Sequence, residues 1–508
     1  MLRFWKRNSR GNEILIEERP ELEGMELTAE NIKNQIGDSS DVIIREFYIN
    51  GNSDFPVTLV LIDGMVNDKN VDDDILKPLL QEGIFNELKT EKSIIDCIFH
   101  GGLYHSSAKV ICRIDDCIES IIQGSVALIF DKEQTAVTFD IKGFEKRAIS
   151  EPTGENVTKG AKDGFIEVLR VNTTLVRRKL RTQNLRIKET KVGQETLTSV
   201  AVVYIEGLTN PEIVTELFKR LDSIRTEGVI TGGGIEEYII DNKWALFPQV
   251  LYTERTDKFC KLILEGRVGI IIDGLPMAYI VPATFSMFLR SPDDYSNNYV
   301  TSSVTRIVRY ISYFISLIAP AFYISITTFH QEMIPLGLAI TIIKSKSSVP
   351  FPTFIEVLLM LFILELIIEA GLRLPKTIGQ AVSIVGAVVV GQAAVSAKII
   401  SSGIIVIIAL TAIAGFTMPT QDFANAVRIW RFILVLCSSV GGLFGLTIGL
   451  LVMGHHLSRI ETFGVPYMSP YEANEGKNIL EDTIFRLPLF IMKKRRSSLK
   501  TVNKRLQK

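Results

Sequence analysis

The chain has 508 residues, room for two or three domains, and 47% of them are hydrophobic. Its 56 Lys and Arg against 57 Asp and Glu leave a net charge of -1, a balance that selects no partner, and nucleic acid is not expected among them. The five cysteines (Cys97, Cys112, Cys117, Cys260, Cys437) show neither CxxC nor metal-ligand spacing, so they are expected to stay reduced, with no metal and no cofactor.

These totals average a polar front and an apolar back. Residues 1–40 read as a charged arm followed by a short helix, TAENIKNQIG, with Thr28 as N-cap and Gly37 as stop. The opening MLRFWKRNSRGNEILIEERP has no apolar core before a cleavage site, so the front region is expected to stay in the cytosol. From Asp41 to about residue 295, short β-rich runs alternate with amphipathic helical windows, the pattern of an α/β region.

An internal repeat runs through that region. LVLIDGM around Asp63 and Gly64 leads into the helical DDDILKPLLQE, and VVYIEGL around Glu206 and Gly207 leads into NPEIVTELFKRL, an offset of 143 residues. GSVALIFD from Gly124 recurs as GRVGIIIDG from Gly266, at 142. Two tandem related α/β subdomains are expected, 41–150 and 180–295, joined by a helical linker at 151–179 that runs into the basic VRRKLR. The acid-glycine pairs read either as tight turns or as the rim of a ligand crevice at strand ends. TGGGIEE, Thr231 to Glu237, lacks the residues of a phosphate loop and reads as a flexible connection. The five histidines make no HExxH or hydrolase triad pattern and there is no GxSxG elbow, so an enzyme is not expected.

Residues 304–453 read as an all-α polytopic membrane domain. VTRIVRYISYFISLIAPAFYISITTF begins it, with Arg306 and Arg309 on the cytoplasmic side and Pro320 placed to kink it. IPLGLAITIIK, Ile334 to Lys344, is short for a span and resembles a re-entrant or interfacial segment. Pro350 to Pro419 then offers three spans, 351–371, 377–397 and 399–417. The first carries Glu356, Glu365 and Glu369: Glu365, the deepest, is expected to face protein or water, while Glu356, and Glu369 with ion-pair spacing to Arg373, read either the same way or as anchors near the interfaces. The second repeats small residues (Gly379, Ser383, Ala387, Ala394) suited to close helix packing and holds Gln380 and Gln392. It also presents Val385, Val388, Val389 and Gln392 on one face, which is the spacing of a pore wall. Both readings stand on the pattern alone. The last helix, about Ile429 to Met453, has Gly441 and Gly445 for close contact. Residues 454–508 form a cytoplasmic tail in which Lys493 to Lys508 carry eight Lys or Arg and no acid, suited to anionic lipid heads. Both ends inside demand an even number of crossings. Five long helices are countable, so six follow if 334–344 also crosses and four if one longer segment does not.

The stretches EPTGENVTKGAKDGFIEVLRVNTTLVRRKL at 151–180, FPQVLYTERTDKFCKLILEGRVGIIIDGLPMAYIVPATF at 247–285, SPDDY at 291–295, PFPTFIEV through LRLPKTIGQAVSIVGAVVVGQAAV, and GVPYMSP at 464–470 resemble the A subunits of the spore germination receptors, the GerA family of endospore-forming bacteria. The chain departs from that family where KGAKDGF replaces an Arg-Gly-Pro-Arg-like run. The resemblance implies a subunit of a nutrient-sensing complex in the spore inner membrane, beside a transporter-like B subunit and a lipoprotein C subunit. It further implies a homo-oligomeric ring forming a ligand-gated ion channel, with the span from Lys376 to Lys398 near its axis. Val385, Val388 and Val389 are then gate candidates and Gln392 a polar lining, while Gln380 lies off that stripe. Two alternatives stay open: a secondary transporter using Glu365 and Glu369, and a non-conducting scaffold.

Overall fold

In the computed structural model the chain divides into two units, residues 1–145 with 181–183, and residues 146–180 with 184–508. The structure describes residues 25–81, 83–105, 107–143, 152, 154–155, 157, 159–373, 391–471, 482–493, 495 and 497–506.

The first unit begins with α1 (Ala29–Ile36), capped by the Thr28 side chain and ended at Gly37. Its sheet holds β1 (Val42–Tyr48), β2 (Pro56–Ile62), β3 (Ala108–Ile111), β4 (Val126–Phe130) and β5 (Thr135–Phe139) in the order β1-β2-β4-β5-β3. β2 sends Val57, Leu59 and Leu61 into one core and Val60 and Ile62 into another, so an unbroken apolar run serves a strand covered on both faces. Helical residues 68–81 and α2 (Glu91–Cys97) cover one face, and α1 with α3 (Ile114–Ile122) the other.

The second unit repeats this plan. β6 (Leu185–Val192), β7 (Thr198–Ile205), β8 (Leu251–Thr253), β9 (Val268–Ile272) and β10 (Ala278–Val281) take the order β6-β7-β9-β10-β8. The strand pairs within both sheets are antiparallel, so neither has the strand-end crevice of a doubly wound parallel sheet. Gly64 and Gly207, and Gly124 and Gly266, lie at φ +79°, +72°, +92° and +99°, so the repeated glycines serve the same left-handed turns. The acid-glycine turns are structural: Asp273 accepts the Leu169 N–H at 3.0 Å, and Glu206 pairs with Arg186 at 2.5 Å.

One face of the second sheet carries α5 (Pro211–Asp222) and α6 (Gly233–Ile239), with Ile213, Leu217, Ile235 and Ile239 in their shared core. α6 corrects the reading of TGGGIEE as a flexible connection: Ile235 and Ile239 lie four apart and are buried together, which anchors the segment as a helix. The other face carries α4 (Leu169–Lys179) and α7 (Thr256–Leu264). Its core runs on without a break into the helical region, through Phe247, Phe285, Phe288, Tyr313, Phe423 and Tyr467.

That region comprises α8 (Tyr299–Ile324, prolonged to Phe329), α9 (Leu336–Lys346), α10 (Thr353–Arg373), α11 (Gly391–Ser396), α12 (Ser402–Phe416) and α13 (Gln421–Arg459). Tyr299–Phe329 and Gln421–Arg459 have the length and apolarity to cross a membrane. α13 is not one straight rod. Gly442 has φ +56° and ψ -137°, and the rings of Trp430 and His456 lie 5.7 Å apart. A straight helix would separate those residues by about 39 Å. The chain therefore folds back at Gly442, where the sequence pattern suggests a single rod. A Cβ on Gly442 would stand 2.8 Å from that of Phe329, so only glycine fits beside the far end of α8.

The contacts also give each helix its direction. α8 runs away from the sheet, and residues 421–441 run beside it. Residues 443–459 return. Gly403 abuts Tyr323 and Gly415 abuts Ser316, so α12 returns toward the sheet too. α10 does likewise, meeting Ser401 at Glu356 and Arg428 at Glu365.

Candidate functional site: a charge cluster between the second sheet and the helices

The SPDDY segment enters a short helical turn, Asp293–Ser296, directly before α8. Asp294, 1% exposed, accepts from Arg306 Nε at 2.8 Å and from Arg309 Nη2 at 3.0 Å. Arg306, fully buried, also donates to Asp482 at 2.9 Å, and Tyr295 Oη donates to the same carboxylate at 2.8 Å. Arg486 donates to the Asn297 carbonyl at 2.5 Å, and the Ser303 hydroxyl donates to the Arg486 carbonyl at 3.2 Å. Residues 482–486 of the tail are thereby stitched to the inner end of α8.

Unpaired charges in such a place would cost several kcal/mol each, so the pairing decides whether the cluster is tolerable. Burial pushes the Asp482 carboxyl up, but Arg290 and Arg306 outweigh it and hold the group below the usual carboxylate range. Asp294 is lowered in the same way, burial being opposed by Arg309 and Arg306. Burial also brings Arg267 down to about 10 and Lys261 well below an ordinary ammonium.

A second set of contacts anchors Glu155 and residues 159–165. Glu155 pairs with Lys258 at 2.6 Å, Arg255 donates to the Ala161 carbonyl at 2.8 Å, and Asp163 accepts from Thr256 at 2.7 Å and Lys179 at 2.9 Å. KGAKDGF is therefore tied to α7 and α4.

Several polar groups among the apolar helices are matched across helices. Pro320 lacks an N–H, which leaves the Ser316 carbonyl one turn back without its helical donor. Arg431, buried, supplies it: Nε donates to that carbonyl at 2.6 Å and Nη2 to Ser316 Oγ at 2.6 Å. Ser438 and Ser325 share a hydrogen bond at 2.7 Å between α13 and α8. Glu356, fully buried, accepts the Ser401 N–H at 2.8 Å, placing a carboxylate at the start of α12 where the helix dipole favours it. Glu365 pairs with Arg428 at 2.5 Å. Arg428 and Arg431 are the partner side chains that the sequence pattern passed over; the signal was there in the proline and in the acids of the apolar helices, each of which needs a donor.

Glu369 is exposed at the end of α10, and the Arg373 side chain lies outside the described residues. So do Gly379, Gln380, Ser383, Val385, Ala387, Val388 and Val389. Gln392 is exposed on α11, while Ala394 packs against the main core. Gly441 has open space around it, and a Cβ on Gly445 would strike the Cys437 carbonyl across the fold-back.

Residues 30–498 match the Bacillus/Clostridium GerA spore germination protein family. The chain belongs to the GerA family. Among GerA proteins it is 38% identical over 467 residues to spore germination protein B1 of Bacillus subtilis (strain 168), covering 92% of this chain and 95% of that one. It is 37% identical over 491 residues to spore germination protein KA of the same organism, covering 96% and 89%. The crystal structure of the N-terminal domain of the A subunit of the Bacillus megaterium spore germinant receptor GerK3 aligns with a TM-score of 0.39 and 28% identity, over 50% of this chain and 93% of that one.

Proposed function

We propose that this GerA protein is the A subunit of a nutrient germinant receptor, lies in the spore inner membrane with both ends cytoplasmic, and forms an oligomeric ion channel. The observation that carries the membrane reading is the exposed apolar surface of the helices. α9 buries none of its residues, and Leu336, Phe416, Val440, Phe444 and Leu451 are each more than 70% exposed. So many large apolar side chains left exposed on these helices call for lipid or other subunits against them.

The fold-back at Gly442 supplies the parity. α8 runs outward, α10 and α12 return, and α13 goes out and comes back. Those are five passes among the described residues, and with both ends inside our reading makes the crossings six without α9, which suits an interfacial position. We assign the segment that carries the valine face and Gln392 to the channel axis. Gln392, exposed in the single chain, is free to meet other copies. The unbroken core from the second sheet into the helices supports a coupling role, since a shift of the α/β platform moves α8 and α13 with it. Nutrient binding on a transporter-like B subunit, with a lipoprotein C subunit beside it, would favour the open ring by contacting its two states differently.

Glu365, one of the two carboxylates of the transporter alternative, is held in an ion pair with Arg428, which favours a structural role for it over proton carriage. Single-channel current from the purified oligomer tests the channel reading, with Val385→Ala, Val388→Ala and Val389→Ala expected to raise leakage or spontaneous germination and Gln392→Leu to impair conduction. Absence of current, with all four variants behaving as wild type, would leave a membrane scaffold.

A further inference from the structure

Between α7 and the SPDDY segment lies a cavity of about 160 Å³, walled in part by Lys261, Glu265, Arg290, Pro292 and Tyr295. That is several times the space one water needs and below the pockets that take organic ligands of drug size. Its size suits a small ion.

Its walls carry cations without hydrogen-bond acceptors. Arg290 is 6% exposed, and none of its three guanidinium nitrogens has an acceptor. Its nearest carboxylate oxygens, on Asp482 and Glu265, stand 3.5 and 3.7 Å from Nη1, beyond the 2.7–2.9 Å typical of a charge-assisted hydrogen bond. Lys261 Nζ is likewise buried without an acceptor, lying against the Tyr295 ring. Of the other charges on the wall, Lys258 is held by Glu155 and Asp257 by Arg255, while Glu265 stands 3.7 Å from Arg290 and 3.8 Å from Arg267 with its buried Oε2 accepting no hydrogen bond. Buried polar groups in folded proteins are nearly always satisfied, and an orphaned guanidinium calls for a ligand with paired oxygens. Among the described residues of the surrounding cluster the cations Lys261, Arg267, Arg290, Arg306, Arg309 and Arg486 outnumber the acids that the ion pairs bring to them, Asp294, Asp482 and Glu265.

We infer that this cavity binds a small oxyanion, a phosphate or sulfate group gripped by the Arg290 guanidinium and the Lys261 ammonium at the inner end of α8. Such an anion ties α7, the SPDDY segment and, through Asp482, the tail into one unit beside the membrane surface. It comes either as a free ion or as a lipid phosphate, and the chemistry of the grip is the same.

The test is titration calorimetry of the full chain in neutral phosphatidylcholine nanodiscs with inorganic phosphate and with sulfate. Binding is expected, weakened about tenfold or more by Arg290→Gln and by Lys261→Gln. If Arg290→Gln does not fold, Lys261→Gln carries the test, since its ammonium donates no hydrogen bond within the chain. Nanodiscs containing phosphatidylglycerol separate the sources. Loss of phosphate binding there, with a raised melting temperature that Lys261→Gln abolishes, assigns the site to lipid, and retained binding assigns it to the free ion. No binding of either anion in neutral discs together with no effect of anionic lipid, or wild-type affinity in a folded variant, overturns the inference in favour of a water-filled cavity.

Discussion

Replacing Gly442 by alanine tests the fold-back on which the parity of the helices rests. At φ +56° and ψ -137° an L-residue is strained by about 1–3 kcal/mol. Its Cβ would stand 2.8 Å from Phe329 Cβ and 2.9 Å from Cγ, atoms too close to the backbone to swing aside, which adds about 1–3 kcal/mol of overpacking. The two together predict a loss of about 2–6 kcal/mol. The neighbouring residue is the control, because Gly441 meets nothing within 4 Å and its φ is not left-handed. Gly441→Ala should be neutral or stabilising by up to about 1 kcal/mol, since alanine is the better helix former. Heating the detergent-solubilised variants and measuring the fraction that still elutes as native protein gives the comparison. Equal thermal survival of the two variants would refute the reversal at Gly442.

Gly449→Cys should form a disulfide with native Cys437 on mild oxidation, because the added Cβ would sit 3.5 Å from Cys437 Cβ where a straight helix would separate the residues by about 18 Å; a mobility shift in non-reducing electrophoresis reads it. Asp482→Asn should destabilise by about 3–5 kcal/mol by leaving Arg306 without one of its partners. Because the folded pKa of Asp482 is depressed, its contribution is present above the ordinary carboxyl range and lost as pH falls through the lowered value, so the variant's melting temperature should depend less on pH below about 4. Glu236 behaves oppositely: burial, then Asp422 and Glu237, raise it to about 7, so the fold favours its protonated form and the penalty grows from pH 4.5 to a plateau above 7. Glu236→Gln should therefore raise the melting temperature at pH 8 and leave it unchanged near pH 4. Glu365→Arg and Arg428→Glu should each destabilise by about 1–3 kcal/mol and the double exchange should recover part of that loss, measured as a double-mutant cycle.

Local chemistry determined much of this protein directly from its residues. Thr28 and Gly37 bound α1 because a hydroxyl cap and a glycine stop act over a single turn. The offset of 142 to 143 residues marked two sheets of one strand order because repeated strands and left-handed glycines leave the same local pattern twice. The apolar helices were legible from composition, and the need of Glu356 and Glu365 for protein partners from the cost of burying charge. Tertiary structure alone decided who those partners are. That Arg431 completes the carbonyl freed by Pro320, that α13 doubles back at Gly442, and that Asp482 reaches Arg306 across 176 residues depend on which distant surfaces meet. A residue's own neighbours in the chain set its backbone preference and its desire for a partner, but the partner is chosen by packing, which acts between segments with no sequence pattern in common.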